Sequence, residues 1–182
     1  MAGRVIAIPT DTLYGLAALP RPGGVDAIFE LKTRPRSRLL PILGASMEDL
    51  ETVVTFGPDS LKLARAFWPG ALTIVLPRAP GFDQDLGGGT SSTVGVRVPR
   101  LDLTRELLKL TGPLAVTSAN PSDEPPATTA AEVTRYFGSG FPVLDGGPAA
   151  GEPSTTVAIE GGLKVLRAGA IGEEELRQSL MP

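Results

Sequence analysis

The stretch TVGVRVPRLDLTRELLKLTGPLAVTSAN, residues 93–120, decides the fold class. Over Thr93–Val98 the valines alternate with other residues, the pattern of a strand with two different faces. Leu103–Leu110 follows with leucines at helical spacing, and Leu114–Thr117 is a second apolar, strand-like run. It ends in the hydroxyl- and amide-bearing turn Thr117-Ser118-Ala119-Asn120. Strand, helix and strand in succession read as α/β.

The same alternation continues on both sides. Further strands are predicted at Arg4–Pro9, Leu39–Leu43, Leu72–Leu76, Pro142–Leu144, Thr156–Ile159 and Leu163–Leu166. Helices fit between them: Val25–Lys32 after the Gly23-Gly24 turn, Leu61–Trp68 and Glu173–Leu180. Two more carry capping boxes, Ser46 with Asp49 for the stretch to Val54, and Thr129 with Glu132 before Val133, with Gly138 as the stop. Several strands are too continuously apolar for one wet face, so both faces of the sheet are expected to be covered. One domain is expected over residues 1–182.

Composition narrows the chemistry. The chain has 182 residues, a hydrophobic fraction of 42% and a formal charge of −3, so it is neither disordered nor a polycation built to grip duplex nucleic acid. It contains neither cysteine nor histidine. Disulfide frameworks, thiol nucleophiles, zinc ribbons and Ser-His-Asp triads are therefore excluded. What remains is catalysis by positioning and electrostatics, with arginine, lysine, hydroxyls and backbone amides. The N-terminal residues hold no apolar run suited to a signal peptide and nothing downstream suits a membrane span, so the cytoplasm is the expected compartment.

Four features are candidates for a site. Lys32-Thr33-Arg34-Pro35-Arg36-Ser37-Arg38 concentrates cations at a helix end, either a solvated loop or an anion clamp in which arginine offers a fork and lysine a point charge. Both Lys32 and Arg34 read as exposed cations whose removal leaves stability nearly unchanged. The turn Thr117–Ser122 lies at the C-terminal end of a strand, where open α/β sheets place ligands, although Asn-Pro-Ser is also an ordinary turn signal. Gly87–Thr93 is a glycine and hydroxyl run that could cradle phosphate, but it opens a strand rather than a helix. Arg97 alternates with valines and points to the opposite face from them, where it needs an anionic partner. Pro153-Ser154-Thr155-Thr156-Val157 and Leu166-Arg167-Ala168-Gly169 put hydroxyls and a further arginine beside late strands. Phe67-Trp68 reads as a hydrophobic anchor, and Asp11 and Asp145 are carboxylates whose spacing specifies no metal site.

In order, PTDTLYGL at 9–16, KTRP at 32–35, FWPGALTIVL at 67–76, VGVRVP at 94–99, TSAN at 117–120, LDGG at 144–147, PSTTVA at 153–158 and LRAGAI at 166–171 resemble the YrdC/TsaC family. The resemblance runs from about Ile6 to Ile171. It implies a twisted, mixed β-sheet flanked by helices around a concave basic cavity. It also implies threonylcarbamoyl-AMP synthase activity, joining L-threonine, bicarbonate and ATP with release of pyrophosphate, with Mg²⁺ held through the ATP phosphates. A downstream threonylcarbamoyl-transferase complex would carry the product to A37 of ANN-decoding tRNAs, which this chain itself would meet indirectly or weakly. By motif, Lys32 and Arg34 are implied as the catalytic pair, and Thr12, Arg97, Ser118 and Ser154 as threonine contacts. Lys32, Arg34, Arg38, Thr93, Ser118, Asn120 and Arg167 are implied around the nucleotide. The chain departs from many members in lacking a histidine near Leu43 and another at Arg100-Leu101. Two other readings compete: HypF-like carbamoyl-adenylate formation, and a non-catalytic RNA-binding module using the basic face.

Overall fold

The computed structural model describes residues 5–33, 35–89 and 91–181. Its centre is an eight-stranded mixed sheet in the order β1-β2-β6-β3-β5-β4-β7-β8. The strands are β1 (Ile6–Ile8), β2 (Gly15–Ala18), β3 (Ile42–Leu43), β4 (Leu72–Pro77), β5 (Thr93–Arg97), β6 (Leu114–Ser118), β7 (Thr155–Ala158) and β8 (Lys164–Arg167). Only β3–β5 and β4–β7 pair in parallel; the other neighbours are antiparallel. The strands of the 93–120 segment are not neighbours, because β3 lies between β5 and β6.

The helices are α1 (Gly24–Lys32), α2 (Met47–Glu51), α3 (Pro58–Phe67), α4 (Asp102–Thr111), α5 (Ala130–Phe137) and α6 (Glu173–Gln178). Of the two predicted capping boxes, that of α5 forms in full, whereas at α2 only the N-cap half forms, because Asp49 Oδ2 accepts from Ala45 N at 3.1 Å rather than from Ser46 N. Ser46 Oγ accepts from Asp49 N at 3.2 Å, and Thr129 Oγ1 from Glu132 N at 3.2 Å, while Glu132 Oε2 reaches back to Thr129 N. Helix α2 stops at Glu51, short of Val54.

Strand alternation divides the buried side chains in two. Leu16, Ile42, Leu72, Ile74, Val94, Val96, Ala115 and Val157 point into one cluster, to which α1, α2, α3, α5 and α6 contribute. Ile8, Ala17, Leu43, Leu114 and Val116 point the other way, against Leu107 and Leu108 of α4. The expectation that both faces are covered is therefore corrected. One face is covered, whereas α4 screens part of the other and the rest lines a cavity. Two further expectations change. Strand β2 went unpredicted, and Pro142–Leu144 forms only an isolated bridge, Val143 to Ala7, rather than a strand of the sheet.

Candidate active site

The face that α4 leaves open carries small and hydroxyl side chains. Gly15 on β2, Thr73 and Val75 on β4, Gly95 and Arg97 on β5 and Thr156 on β7 line a cavity of about 460 Å³. Gly95 keeps its floor low, since a Cβ there would sit 3.2 Å from Thr73 Cγ2. Arg38, Arg97 and Arg167 also line it, and no carboxylate is among its described lining residues.

Arg97 is buried and anchored on three sides. Its Nε donates to Gly70 O at 2.8 Å, Nη1 to Thr12 Oγ1 at 2.8 Å and Nη2 to Asp11 Oδ1 at 2.7 Å. Burial pushes its pKa down, and Asp11 opposes that shift. A guanidinium has five N–H donors, so two remain for a ligand. Thr12 Oγ1 accepts from Arg97 and lies 2.9 Å from Thr10 Oγ1, whose own proton goes to Leu13 O at 2.6 Å. Thr10 Oγ1 also accepts from Thr12 N and Leu13 N at 3.1 Å each, so no lone pair is left there for the Thr12 proton, which is available to an acceptor in the cavity.

Arg167 shapes the adjoining wall. Its Nη2 donates to Ser154 O at 2.9 Å and Ser154 Oγ at 3.0 Å, and Ser154 Oγ lies 2.8 Å from Thr73 Oγ1. The Ser154–Thr73 contact uses one of two hydroxyl protons, and Arg167 can only donate, so one proton stays available to an acceptor. Burial pushes the Arg167 pKa down as well.

The structure brings Thr12, Arg38, Arg97, Ser118, Ser154 and Arg167 together around this cavity. Lys32, Asn120 and Thr93 are not among its lining residues. Lys32 is only 4% exposed, which corrects its reading as a surface cation. Its Nζ donates to Ser118 O at 2.6 Å and Asn120 Oδ1 at 2.9 Å, locking the end of α1 to the turn after β6. Arg34 lies outside the described residues. Thr93 shares a face with Gly95 and Arg97 by alternation and contacts Ser91.

Asp11, a carboxylate without an assigned role in the sequence, is the partner that inward Arg97 required. Asp145 accepts from Tyr14 OH at 3.3 Å and Gly147 N at 3.0 Å. No group of three or more His, Cys, Asp or Glu suited to a metal occurs among the described residues. Phe67 and Trp68 pack against the core, as their sequence suggested. Thr156 belongs to the hydroxyl run noted at 153–157, whereas Thr73 is not predicted by the sequence. The only signal for Thr73 is its placement opposite the apolar positions of its strand.

Comparison with known proteins follows this geometry. The Sua5/YciO/YrdC family model, described as telomere recombination, matches residues 1–169. A Mycobacterium tuberculosis relative is 36% identical over 184 residues, covering 98% of this chain and 84% of its own length. A Pyrococcus abyssi protein named threonylcarbamoyl-AMP synthase is 37% identical, with 97% of this chain and 53% of its own length covered. The crystal structure of P. abyssi Sua5 complexed with L-threonine superposes with a TM-score of 0.90 at 37% identity, over 97% of this chain and 54% of that one. The chain thus spans about half the length of the P. abyssi proteins.

Proposed function

This chain belongs to the Sua5/YciO/YrdC family, and from that premise we propose that it is a threonylcarbamoyl-AMP synthase acting on L-threonine, bicarbonate and ATP. The observation that carries the reading is the pairing of Arg97 and Arg167 in one cavity, with hydroxyl donors beside them. Arg97 offers its two remaining N–H groups to the amino-acid carboxylate. Thr12 and the Ser154–Thr73 pair each donate to an acceptor of the substrate. Arg38 and Arg167 face phosphate charge. Lys32 acts from behind the cavity, holding Ser118 and Asn120 in place.

The reaction requires alignment more than a side-chain nucleophile. The threonine amine attacks the carbon of bicarbonate-derived CO₂ to give a carbamate, and the proton it loses combines with the hydroxide left by bicarbonate to form water. A carbamate oxygen then attacks the α-phosphorus of ATP and pyrophosphate leaves. Mg²⁺ held by phosphate oxygens would neutralise the leaving group, a mode that asks for no protein carboxylate cluster. The adenylate would pass to a threonylcarbamoyl-transferase complex that modifies tRNA. No described helix is long and apolar enough to cross a membrane.

The test is pyrophosphate release by the purified protein with ATP and Mg²⁺, omitting threonine or bicarbonate in turn. Release that needs both is the expected result. Release without threonine, or release supported by carbamoyl phosphate in its place, would overturn the assignment.

A further inference from the structure

Residues 35–40 lead from the end of α1 toward β3 and carry Arg38 to the cavity wall. Arg36 belongs to the same cation cluster but faces elsewhere. Its Nη1 donates to Asp85 Oδ2 at 3.1 Å and its Nη2 to Asp26 Oδ1 of α1, while its Cζ stands 5.0 Å from the centre of the Phe29 ring. Phe29 is buried, and Gly87 rests on it so closely that a Cβ there would meet Phe29 Cζ at 2.5 Å. Gly87 has φ +81 and Gly88 φ +70, backbone that favours glycine. Main-chain bonds tie the two segments, from Gly88 N to Arg36 O at 2.7 Å and from Leu40 N to Leu86 O at 2.9 Å. The glycine run that looked suited to cradling phosphate thus provides the seat for the cation-bearing loop. Arg36, facing two carboxylates, adds little to the charge of the cavity.

We propose that Arg36 is a positioning residue: with Asp26 and Asp85 it latches residues 35–40 onto α1 and the glycine turn, and so holds Arg38 at the cavity wall for an anionic group of the nucleotide. The proposal rests on the reading of the cavity as an ATP site. Each ion pair is partly exposed and weak alone, so the latch works through the combination of two pairs and the ring contact.

Two readouts on Arg36→Gln, Asp26→Asn and Asp85→Asn test it. Asparagine keeps an acceptor for Gly23 N at position 26 and for Gly87 N at position 85, so the local turns survive. Hydrogen exchange of the Leu40 and Gly88 amides should accelerate in all three variants. ATP affinity, measured by calorimetry without turnover, should fall about three- to tenfold in all three, and wild type should approach the variants at about 0.5 M salt. If Arg36 touched the phosphates itself, freeing it by Asp26→Asn or Asp85→Asn would tighten ATP binding, and that result would overturn the latch. So would unchanged exchange, or ATP affinity equal to wild type. A wild-type protein that binds no ATP would instead overturn the cavity reading, and the positioning role with it.

Discussion

Lys32 shows what a single buried cation does here. Its ammonium donates to Ser118 O at the end of β6 and to Asn120 Oδ1 in the turn beyond, and Ser122 Oγ donates back to Lys32 O at 2.6 Å. Lys32→Ala would strand Ser118 O and Asn120 Oδ1 without a charged donor and lose the packing of the lysine stem. A destabilisation of about 2–4 kcal/mol follows, read as a lower urea midpoint at unchanged slope. A melting curve like that of wild type would show that the lysine does not hold the turn. Asp11 is the complementary case. Asp11→Ala leaves a buried guanidinium without its counter-charge, at a cost of about 3–5 kcal/mol, whereas Asp11→Asn keeps an acceptor for Arg97 Nη2 and Arg100 N and should cost less. Equal losses in the two variants would mean that the charge contributes nothing. The sequence revealed that Arg97 turns inward, because alternation within one strand is local. It could not reveal Asp11 as its partner, which lies 86 residues away and meets it only when β5 and the segment after β1 converge.

At the scale of elements, what could be read was what is locally encoded. The capping box of α5 needs only Thr129 and Glu132, and it forms as written. Backbone N–H groups, first that of Thr128, hold the Glu132 carboxyl below its ordinary pKa. A depressed folded pKa means that the stabilisation is present above the ordinary carboxylate range and is lost as pH falls through the folded value. The loss in melting temperature between neutral pH and about pH 3 should therefore be smaller in Glu132→Gln than in wild type. Identical acid slopes would remove Glu132 from the account. Thr129→Ala should cost about 1 kcal/mol at neutral pH. Strand β2 was not legible for the opposite reason. Gly15–Ala18 has no β-branched residue, and it is a strand because β1 and β6 pair with it on both sides. Gly15 suits that place, as a Cβ there would lie 2.5 Å from Val116 Cγ1. Pro142–Leu144 has strand composition but finds only one bridging partner.

For the whole molecule, the division of the sheet into a packed face and an open one links stability to ligand. The larger core, supported by five helices, lies on the face away from the cavity, so the open face can carry buried arginines and hydroxyls without being the main source of stability. Ligands that fill the cavity bind only the folded chain and must stabilise it by mass action. At about 100 times its Kd, ATP or threonine should contribute about 2.7 kcal/mol, which for a chain of this size raises Tm by about 5–10 °C. Arg97→Lys keeps a charge but loses the fork and two of its three anchors. It should abolish most of the increment from threonine while keeping that from ATP, because the carboxylate and the phosphates rest on different cations. An RNA-binding module makes the opposite forecast. A transfer RNA would then raise Tm with a steep dependence on salt, and neither small molecule would move it. The formal charge of −3 weighs against such a grip, since cations gathered in one cavity do not make a basic surface. If threonine stabilises wild type and Arg97→Lys equally, the carboxylate does not sit on Arg97, and the polarity assigned to the cavity is wrong.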